Sequence, residues 1–463
     1  MADPARTQRR LNTLPQAGTR LPFSTRLLLS GRASLLAIAL LVAVAGGAIF
    51  LLNSHTPLSA AFLPVNFAKG VPTAATANAA NAANRAAAGQ LDPEAVLQKT
   101  LAEIRHQRMD NALTEIDKVI GAYPNFRLAH LIKGDLLMAR AHPIKSIGNA
   151  SEAPQEQLDD LREEARARLA RKLSERPKNQ VPRYLVQMPP EQRYALVVDT
   201  AKSTLYVYEN KDGEARYVAD YYASIGKNGM DKFREGDNKT PLGVYHVTGS
   251  ISREQLNQRY GKLAGEYGVG ALPINFPNEW DKRGGRNGSG IWLHGVPFDT
   301  YSRPPRASNG CVALTNEDFM AVSATAQVGV TPVIIANGIE WTSPEGARAV
   351  REELSQAVES WRRDWESLNT PNYLKHYSPT KFSTGSQNYQ AWVEHKQRVN
   401  AGKTWIKVKV DNVSMFFYPG AADLAVVTFD QDYNSSNLVG QSKKRQYWMK
   451  EPGGWKIVYE GMS

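Results

Sequence analysis

The sequence contains a single cysteine, Cys311, and a histidine, His294, lies seventeen residues before it. A thiol at its reference pKa of about 8.5 is only a few per cent thiolate at neutral pH, so a cysteine that attacks a carbonyl carbon needs a neighbouring base. His294 can take that proton and return it to a leaving amine. We therefore predict that Cys311 is a nucleophile open to a cleft, with the His294 imidazole within a few ångströms. A buried, unreactive cysteine is the alternative.

Glycines stand beside both of these residues. Gly310 allows the backbone to turn tightly before Cys311, and such a turn can direct amide N–H groups at a tetrahedral oxyanion. Gly295 follows the base, where its carbonyl can fix the tautomer of the imidazole. The pattern predicts acyl transfer assisted by a local backbone of unusual geometry.

Two arginines lie in the spacer between the base and the nucleophile. Arg303 and Arg306 can hold the carboxylates of a substrate in bidentate fashion, and solvated loop charges are the alternative. The eight histidines and one cysteine show no metal-ligand spacing, so we expect neither a metal nor another cofactor.

Three ordered motifs carry a resemblance to a known family: EGDNKTPLGVY at 235–245, IWLHGVPF at 291–298 and RASNGCVAL at 306–314. His-Gly, a spacer and then S-x-G-C-V resemble the YkuD-type L,D-transpeptidase catalytic domain, whose TP-x-G-x-Y element is matched by TPLGVY. The similarity covers residues 192–338. It implies a β-rich sandwich that forms a thioester acyl-enzyme with peptidoglycan stem peptides.

By that resemblance Cys311 is the nucleophile and His294 the base, while Ser308 and Gly310 shape the nucleophile turn and the oxyanion site. The family usually has a second histidine where Asn309 stands and Arg or Asn where Ala313 stands. The sequence SNGCVAL is similar to the YafK-like branch, and Asn309 can still donate a hydrogen bond.

These departures leave three functions open. The first is transpeptidation, in which an amine resolves the thioester. The second is hydrolysis of peptidoglycan or protein–peptidoglycan amides by water. The third is a wall-binding scaffold without catalysis, and the intact Cys/His pair argues against it.

The N-terminal part predicts a membrane anchor. Residues 35–52 are eighteen uncharged, mostly apolar residues, enough for a helix of about 27 Å, and residues 1–34 hold six arginines against one acid. The positive-inside rule places 1–34 in the cytoplasm and the rest in the periplasm, as a single-pass inner-membrane protein. A cleaved signal peptide is the alternative. Residues 53–90, rich in Ala and Asn, are expected to form a linker.

The remaining chain predicts an α+β multidomain protein. Asp92 and Pro93 predict a helix start, with Asp92 as the cap and Pro93 in the first turn. Helical periodicity over 91–180 resembles a tetratricopeptide-type pair that needs a packing neighbour, and strand periodicity begins at Tyr194. Residues 345–463 combine one long helix with four strands and resemble an NTF2-like (SnoaL-type) cone, for which we expect binding of envelope or wall-linked proteins. The net charge of +11 includes no long basic run after residue 34, so nucleic acid is an unsuitable partner.

Overall fold

A computed structural model describes residues 91–142, 147–149, 152–173, 176–421 and 423–463. The predicted anchor at 35–52, its flank 1–34 and the linker 53–90 lie outside these residues. Among the helices of the described residues, none combines the length and the apolar character needed to cross a membrane. The α-helices are α1 Pro93–Arg105, α2 Met109–Ala122, α3 Arg127–Met138, α4 Gln155–Leu173, α5 Arg253–Tyr260, α6 Glu279–Arg283, α7 Asn316–Ser323, α8 Pro344–Glu366, α9 Thr370–Leu374 and α10 Tyr389–Ala401; a 3₁₀ helix spans Gly261–Tyr267.

Helices α1–α4 form the helical region that the sequence predicts. Asp92 accepts hydrogen bonds from the backbone N–H groups of Glu94 and Ala95, and Pro93 occupies the first turn, which confirms the predicted helix start. The region's apolar side chains meet in one core. Tyr301, which belongs to the predicted catalytic domain (residues 192–338), completes this core. The predicted packing neighbour of these helices is therefore the catalytic domain itself.

The strands found in the described residues lie in five sheets. They are β1 Val181–Pro182, β2 Leu185–Gln187, β3 Tyr194–Asp199, β4 Thr204–Lys211, β5 Glu214–Tyr222, β6 Ile225–Gly226, β7 Gly243–His246, β8 Ile251–Ser252, β9 Gly270–Pro273, β10 Trp292–His294, β11 Arg306–Ser308, β12 Val312–Ala313, β13 Pro332–Ala336, β14 Trp341–Thr342, β15 Ile406–Phe417, β16 Leu424–Ser435, β17 Leu438–Glu451 and β18 Gly454–Met462.

The catalytic domain is a mostly-β sandwich, as predicted. Its five-stranded sheet has the order β5-β4-β3-β13-β7, and its four-stranded sheet has the order β12-β10-β9-β8. Strand β3 is buried along its whole length. Leu196 and Val198 face the sandwich core, whereas Ala195 and Val197 belong to the core shared with the C-terminal domain. A strand covered on both faces carries a continuous apolar run, which explains the sequence YALVV.

The C-terminal domain has a sheet in the order β18-β17-β16-β15-β2, covered by α8, α9 and α10. The predicted long helix and four strands are confirmed. The fifth strand, β2, was not predicted: it precedes the catalytic domain in the chain and pairs antiparallel with β15. Strand β1 likewise pairs with β14, which follows the catalytic domain. The chain therefore forms β1 and β2 before it enters the catalytic domain and forms their partners, β14 and β15, after it leaves that domain.

Side chains join the two domains directly. Trp280 stacks on Tyr447 with ring centroids 5.0 Å apart, and Glu279 accepts two hydrogen bonds from Nη1 of Arg445, at 3.1 and 3.0 Å. These contacts fix the C-terminal domain against the second half of the catalytic domain.

Candidate active site

The predicted base, His294, ends β10, and the predicted nucleophile, Cys311, directly precedes the neighbouring strand β12. Strands β10 and β12 run parallel, with Leu293 opposite Val312 and His294 opposite Ala313. Leu293 and Val312 point into the sandwich core, so alternation places the side chains of His294 and Cys311 together on the opposite face. One strand spacing across and two residues along correspond to about 8 Å between their Cα atoms, within reach of the two side chains.

The imidazole of His294 is held from two sides. Its Nδ1 lies 2.5 Å from the carbonyl oxygen of Gly295, to which it donates a hydrogen bond, so the Nε2 lone pair is left to accept a proton. The ring of Tyr267 stands edge-on to the imidazole, with centroids 5.2 Å apart. A Cβ on Gly295 would lie 2.3 Å from Oδ1 of Asn316, which explains why glycine follows the base.

The turn before the nucleophile is built by Ser308 and Gly310. Ser308 Oγ donates to the Cys311 carbonyl at 2.6 Å and accepts from the Gly310 amide at 3.1 Å. Gly310 has a φ of +120°, and a Cβ there would lie 2.7 Å from the Lys239 carbonyl oxygen. Because the Gly310 amide is bonded to Ser308, these two residues form the turn, and that amide does not face an oxyanion in this conformation.

Thr240 is buried against the same turn, a contact that was not predicted from the sequence. Its Oγ1 donates to the Gly310 carbonyl at 3.0 Å and accepts from the Gly226 amide at 2.9 Å. Thr240 is the threonine of TPLGVY, so the motif contained the signal for its role. Tyr267 and Asn316 were also missed, and they belong to segments without any motif.

The thiol is less open than predicted, since Cys311 is only 8% exposed. Its Sγ donates to the Gly290 carbonyl at 3.3 Å, and the N–H of Trp292 donates to the sulfur. The Gly290 carbonyl and the Trp292 N–H thus contact the sulfur, which the sequence predicted to be open to a cleft. Asn309, next to the turn, is exposed, and Ala313 is buried opposite His294.

The two spacer arginines differ in their surroundings. Arg303 pairs with Glu266 at 2.5 Å, and its positive charge reaches both the thiol and the imidazole. Arg306 is exposed on β11, two residues before Ser308. The structure therefore places Arg303 beside Glu266, the neighbour of Tyr267, whose ring contacts His294, while Arg306 faces solvent. Within the described residues, no group of three or more His, Cys, Asp or Glu side chains is placed to hold a metal ion.

Burial keeps both reacting groups neutral. It raises the pKa of the Cys311 thiol to about 11, against the opposing effects of the Trp292 N–H and Arg303. It also lowers the pKa of His294 to about 4, although the hydrogen bond to Gly295 opposes that shift. At pH 7 the pair is a thiol beside a neutral imidazole, so proton transfer to Nε2 must accompany attack on the substrate.

This protonation state predicts a distinct pH profile for alkylation of Cys311 by iodoacetamide. Because the raised pKa keeps the thiol protonated below pH 11, we expect slower alkylation at pH 7 than for free cysteine and a rate that climbs until about pH 11. Stopped-time alkylation followed by intact mass measures this profile. A rate that is already constant between pH 5 and 8 would indicate a preformed thiolate and contradict the neutral pair.

Comparison with known proteins assigns both domains. Residues 193–335 match the family model of the YkuD L,D-transpeptidase catalytic domain, and residues 353–461 match the model of the Cds6 C-terminal NTF2-like domain. No curated protein matches the chain. The YkuD match supports a peptidoglycan-related function of the L,D-transpeptidase type.

Solved structures show similarity over a longer stretch. Bd1075 of Bdellovibrio bacteriovorus is 30% identical with a TM-score of 0.53, and the match covers 61% of this chain and 98% of that one. Pgp2 of Campylobacter jejuni, described as a helical cell shape determining protein, is 23% identical with a TM-score of 0.50, covering 60% and 95%, and shares the fold. The chain belongs to the family of YkuD L,D-transpeptidase-type proteins, with an NTF2-like domain on the C-terminal side of its catalytic domain.

Proposed function

We propose that this protein is a cysteine L,D-transpeptidase of the cell envelope that remodels peptidoglycan through stem-peptide thioesters. The observation that carries the proposal is the placement of His294 at the end of β10 and of Cys311 directly before the parallel strand β12, with Nε2 of the imidazole as the available base. The family of the catalytic domain supports the substrate class.

The proposed reaction has two acyl transfers. Cys311 Sγ attacks the carbonyl carbon of a stem-peptide amide, His294 Nε2 takes the thiol proton, and the C–N bond breaks as that proton passes to the leaving amine. The amine of a second stem peptide then attacks the thioester and gives its proton to Nε2. The C–S bond breaks, and the sulfur recovers the proton from the imidazolium.

Arg303 is proposed to bind the substrate carboxylate. Its guanidinium is close enough for its charge to act on both Cys311 and His294, and it is paired with Glu266, whose side chain is 62% exposed. Because the Glu266 side chain is largely exposed, a substrate carboxylate can replace it on Arg303 at small cost. Arg306 is exposed on the approach to the same turn and is proposed as an outer contact.

Hydrolysis of the thioester is the second candidate. It is favoured by the surroundings of the nucleophile turn, where Asn309 is exposed to solvent and Ala313 offers no polar group beside His294. Transfer is favoured by the burial of Cys311, since a thioester shielded from water survives until an amine arrives. The same active-site pair serves both reactions, so their products must distinguish them.

The test is mass spectrometry of muropeptides after the purified protein is incubated with sacculi. Transpeptidation predicts new dimers joined between two L,D stem positions. Shortened monomers or released wall-bound protein without new cross-links would replace the transferase with a hydrolase. If the muropeptides and the bound proteins stay unchanged while Cys311 reacts with thiol reagents, the catalytic proposal is wrong and the scaffold function remains.

We further propose that the protein works in the periplasm, held in the inner membrane by residues 35–52. The proposal rests on the arginine asymmetry around that apolar segment. The cell-shape description of Pgp2 supports a role in wall shape, and the NTF2-like domain is proposed to bind wall-linked or envelope proteins. A reporter fused after Ser463 that is active only in the cytoplasm would contradict the topology.

A further inference from the structure

Part of the chain between His294 and Cys311 packs against the helical region. Residues 298–304 form this clasp segment. Tyr301 is 7% exposed within the helical core, with its ring centroid 4.8 Å from Tyr123 and 4.5 Å from Phe126. The Tyr301 amide donates to the Asn125 carbonyl at 3.3 Å, and the Asn125 side chain donates to the Phe298 carbonyl at 3.0 Å. The clasp segment is thus hydrogen-bonded to both the backbone and the side chain of Asn125, in the turn before α3.

A buried side chain of the helical region, Glu164, binds the next residue of the clasp segment, Ser302, through a hydrogen bond and is itself bound by Arg168. Ser302 Oγ donates to Glu164 Oε1 at 2.6 Å, and the same oxygen accepts from Nε and Nη2 of Arg168 at 2.9 and 2.8 Å. Glu164 is 2% exposed and Arg168 is 5% exposed. Arg168 also pairs with Glu94 of α1, and its guanidinium lies 4.0 Å above the Tyr222 ring. Burial raises the pKa of Glu164 to about 8, and polar side chains buried this deeply require specific hydrogen-bond partners, so the geometry of this group is strongly determined.

The backbone after Ser302 is fixed by the five-stranded sheet and the chain that follows it. Tyr222 Oη donates to the Arg303 carbonyl at 3.0 Å, and Ser224 Oγ donates to the Pro304 carbonyl at 2.5 Å. The Arg303 guanidinium then extends toward Glu266 on the 3₁₀ helix. Arg303 therefore directly follows a residue anchored in the helical region, and its side chain binds Glu266, the neighbour of Tyr267, whose ring contacts His294.

We propose that Ser302 and Glu164 are positioning residues, through which the helical region holds Arg303 in place to bind a carboxylate of the donor stem peptide. The inference rests on the proposed function, because Arg303 has a carboxylate to bind only if stem peptides are the substrate. The inference gives the helical region a role in substrate binding, because its Glu164 positions the segment that carries Arg303. The loss of the Ser302 hydroxyl should then affect recognition of the carboxylate more than the chemical step.

The test compares two donor peptides, a tetrapeptide stem with a free C-terminal carboxylate and the same peptide with a C-terminal amide. For the wild type we expect a higher kcat/KM with the carboxylate, and Arg303→Ala should remove that preference. We expect Ser302→Ala to raise KM for the carboxylate donor about tenfold and to bring the two donors close together, with kcat almost unchanged. Glu164→Gln should show a weaker form of the same effect.

Asp135→Asn is the matched control. Asp135 is a buried carboxylate of the helical region that accepts hydrogen bonds from the Gly148 and Asn149 amides and does not contact the clasp segment. Its substitution should lower thermal stability and leave the preference for the carboxylate donor intact. An equal loss with both donors in Ser302→Ala, or no loss, would overturn the inference while wild-type turnover still supports the proposed function. An unchanged preference in Arg303→Ala would overturn it as well, and an inactive wild type would refute the proposed function itself.

Discussion

Replacement of Cys311 by alanine is expected to abolish all changes in the muropeptides of treated sacculi. The proposed reaction passes through a bond to Sγ, and loss of a covalent nucleophile typically lowers turnover by a factor on the order of 10⁴ or more. Liquid chromatography and mass spectrometry of digested sacculi measure the effect. The intact-mass signal of an acyl-enzyme, which we expect in the wild type with a slow acceptor, should be absent.

The single cysteine gives this experiment a clean control. Titration with a thiol reagent should find one thiol in the denatured wild type and none in the variant, because the chain has no other cysteine. Sγ is the only heavy atom removed, so circular dichroism should show an unchanged fold. Product formation by Cys311→Ala above one tenth of the wild-type rate would eliminate the thioester mechanism.

Replacement of His294 by glutamine is expected to lower turnover by about 10²- to 10⁴-fold at pH 7. Burial raises the pKa of Cys311 to about 11, so without the Nε2 acceptor the thiol keeps its proton. Since a raised thiol pKa means that the thiolate forms only as pH increases, the residual rate should rise about tenfold per pH unit toward pH 11. The initial rate of acyl-enzyme formation, followed by intact mass across this range, provides the measurement.

His246 supplies the matched control for the histidine substitution. It lies on β7 of the same domain, and burial also lowers its pKa to about 4, but it faces the C-terminal domain near Arg445. We expect His246→Gln to retain most of the turnover and the wild-type pH profile. Comparable losses in the two variants would mean that His294 acts through stability and is not the base.

The helices before residue 174, the long helix α8 and the longer strands could be predicted because each carries its own local pattern, whereas α5, α6, α7, α9, α10 and the shortest strands were not predicted. The catalytic and C-terminal strands follow their β-branched and aromatic runs, and α1 begins at the predicted Asp92-Pro93 cap. Strand β2 could not be predicted, since its three residues become a strand only by pairing with β15. Pairing between residues so far apart in the chain leaves no local periodicity.

The sequence pointed to His294 and Cys311 as the proposed pair for a similar reason. His294 and Cys311 lie in motifs whose glycines have a local cause, namely the close approach of Asn316 to Gly295 and the positive φ of Gly310. The burial of the thiol by Gly290 and Trp292 and the packing of Tyr301 against the helical region depend on which segments meet in space. Such contacts arise from tertiary packing, and sequence periodicity does not record them.

The insertion of the catalytic domain between paired strands bears on how the protein can be divided. A fragment cut at residues 193 and 335 would leave β2 and β1 behind, together with the helices that bury Tyr301. Its outer sheet face, with Val197 and Tyr206, would become exposed to water where the C-terminal domain now covers it. Such a fragment is therefore expected to aggregate when expressed alone.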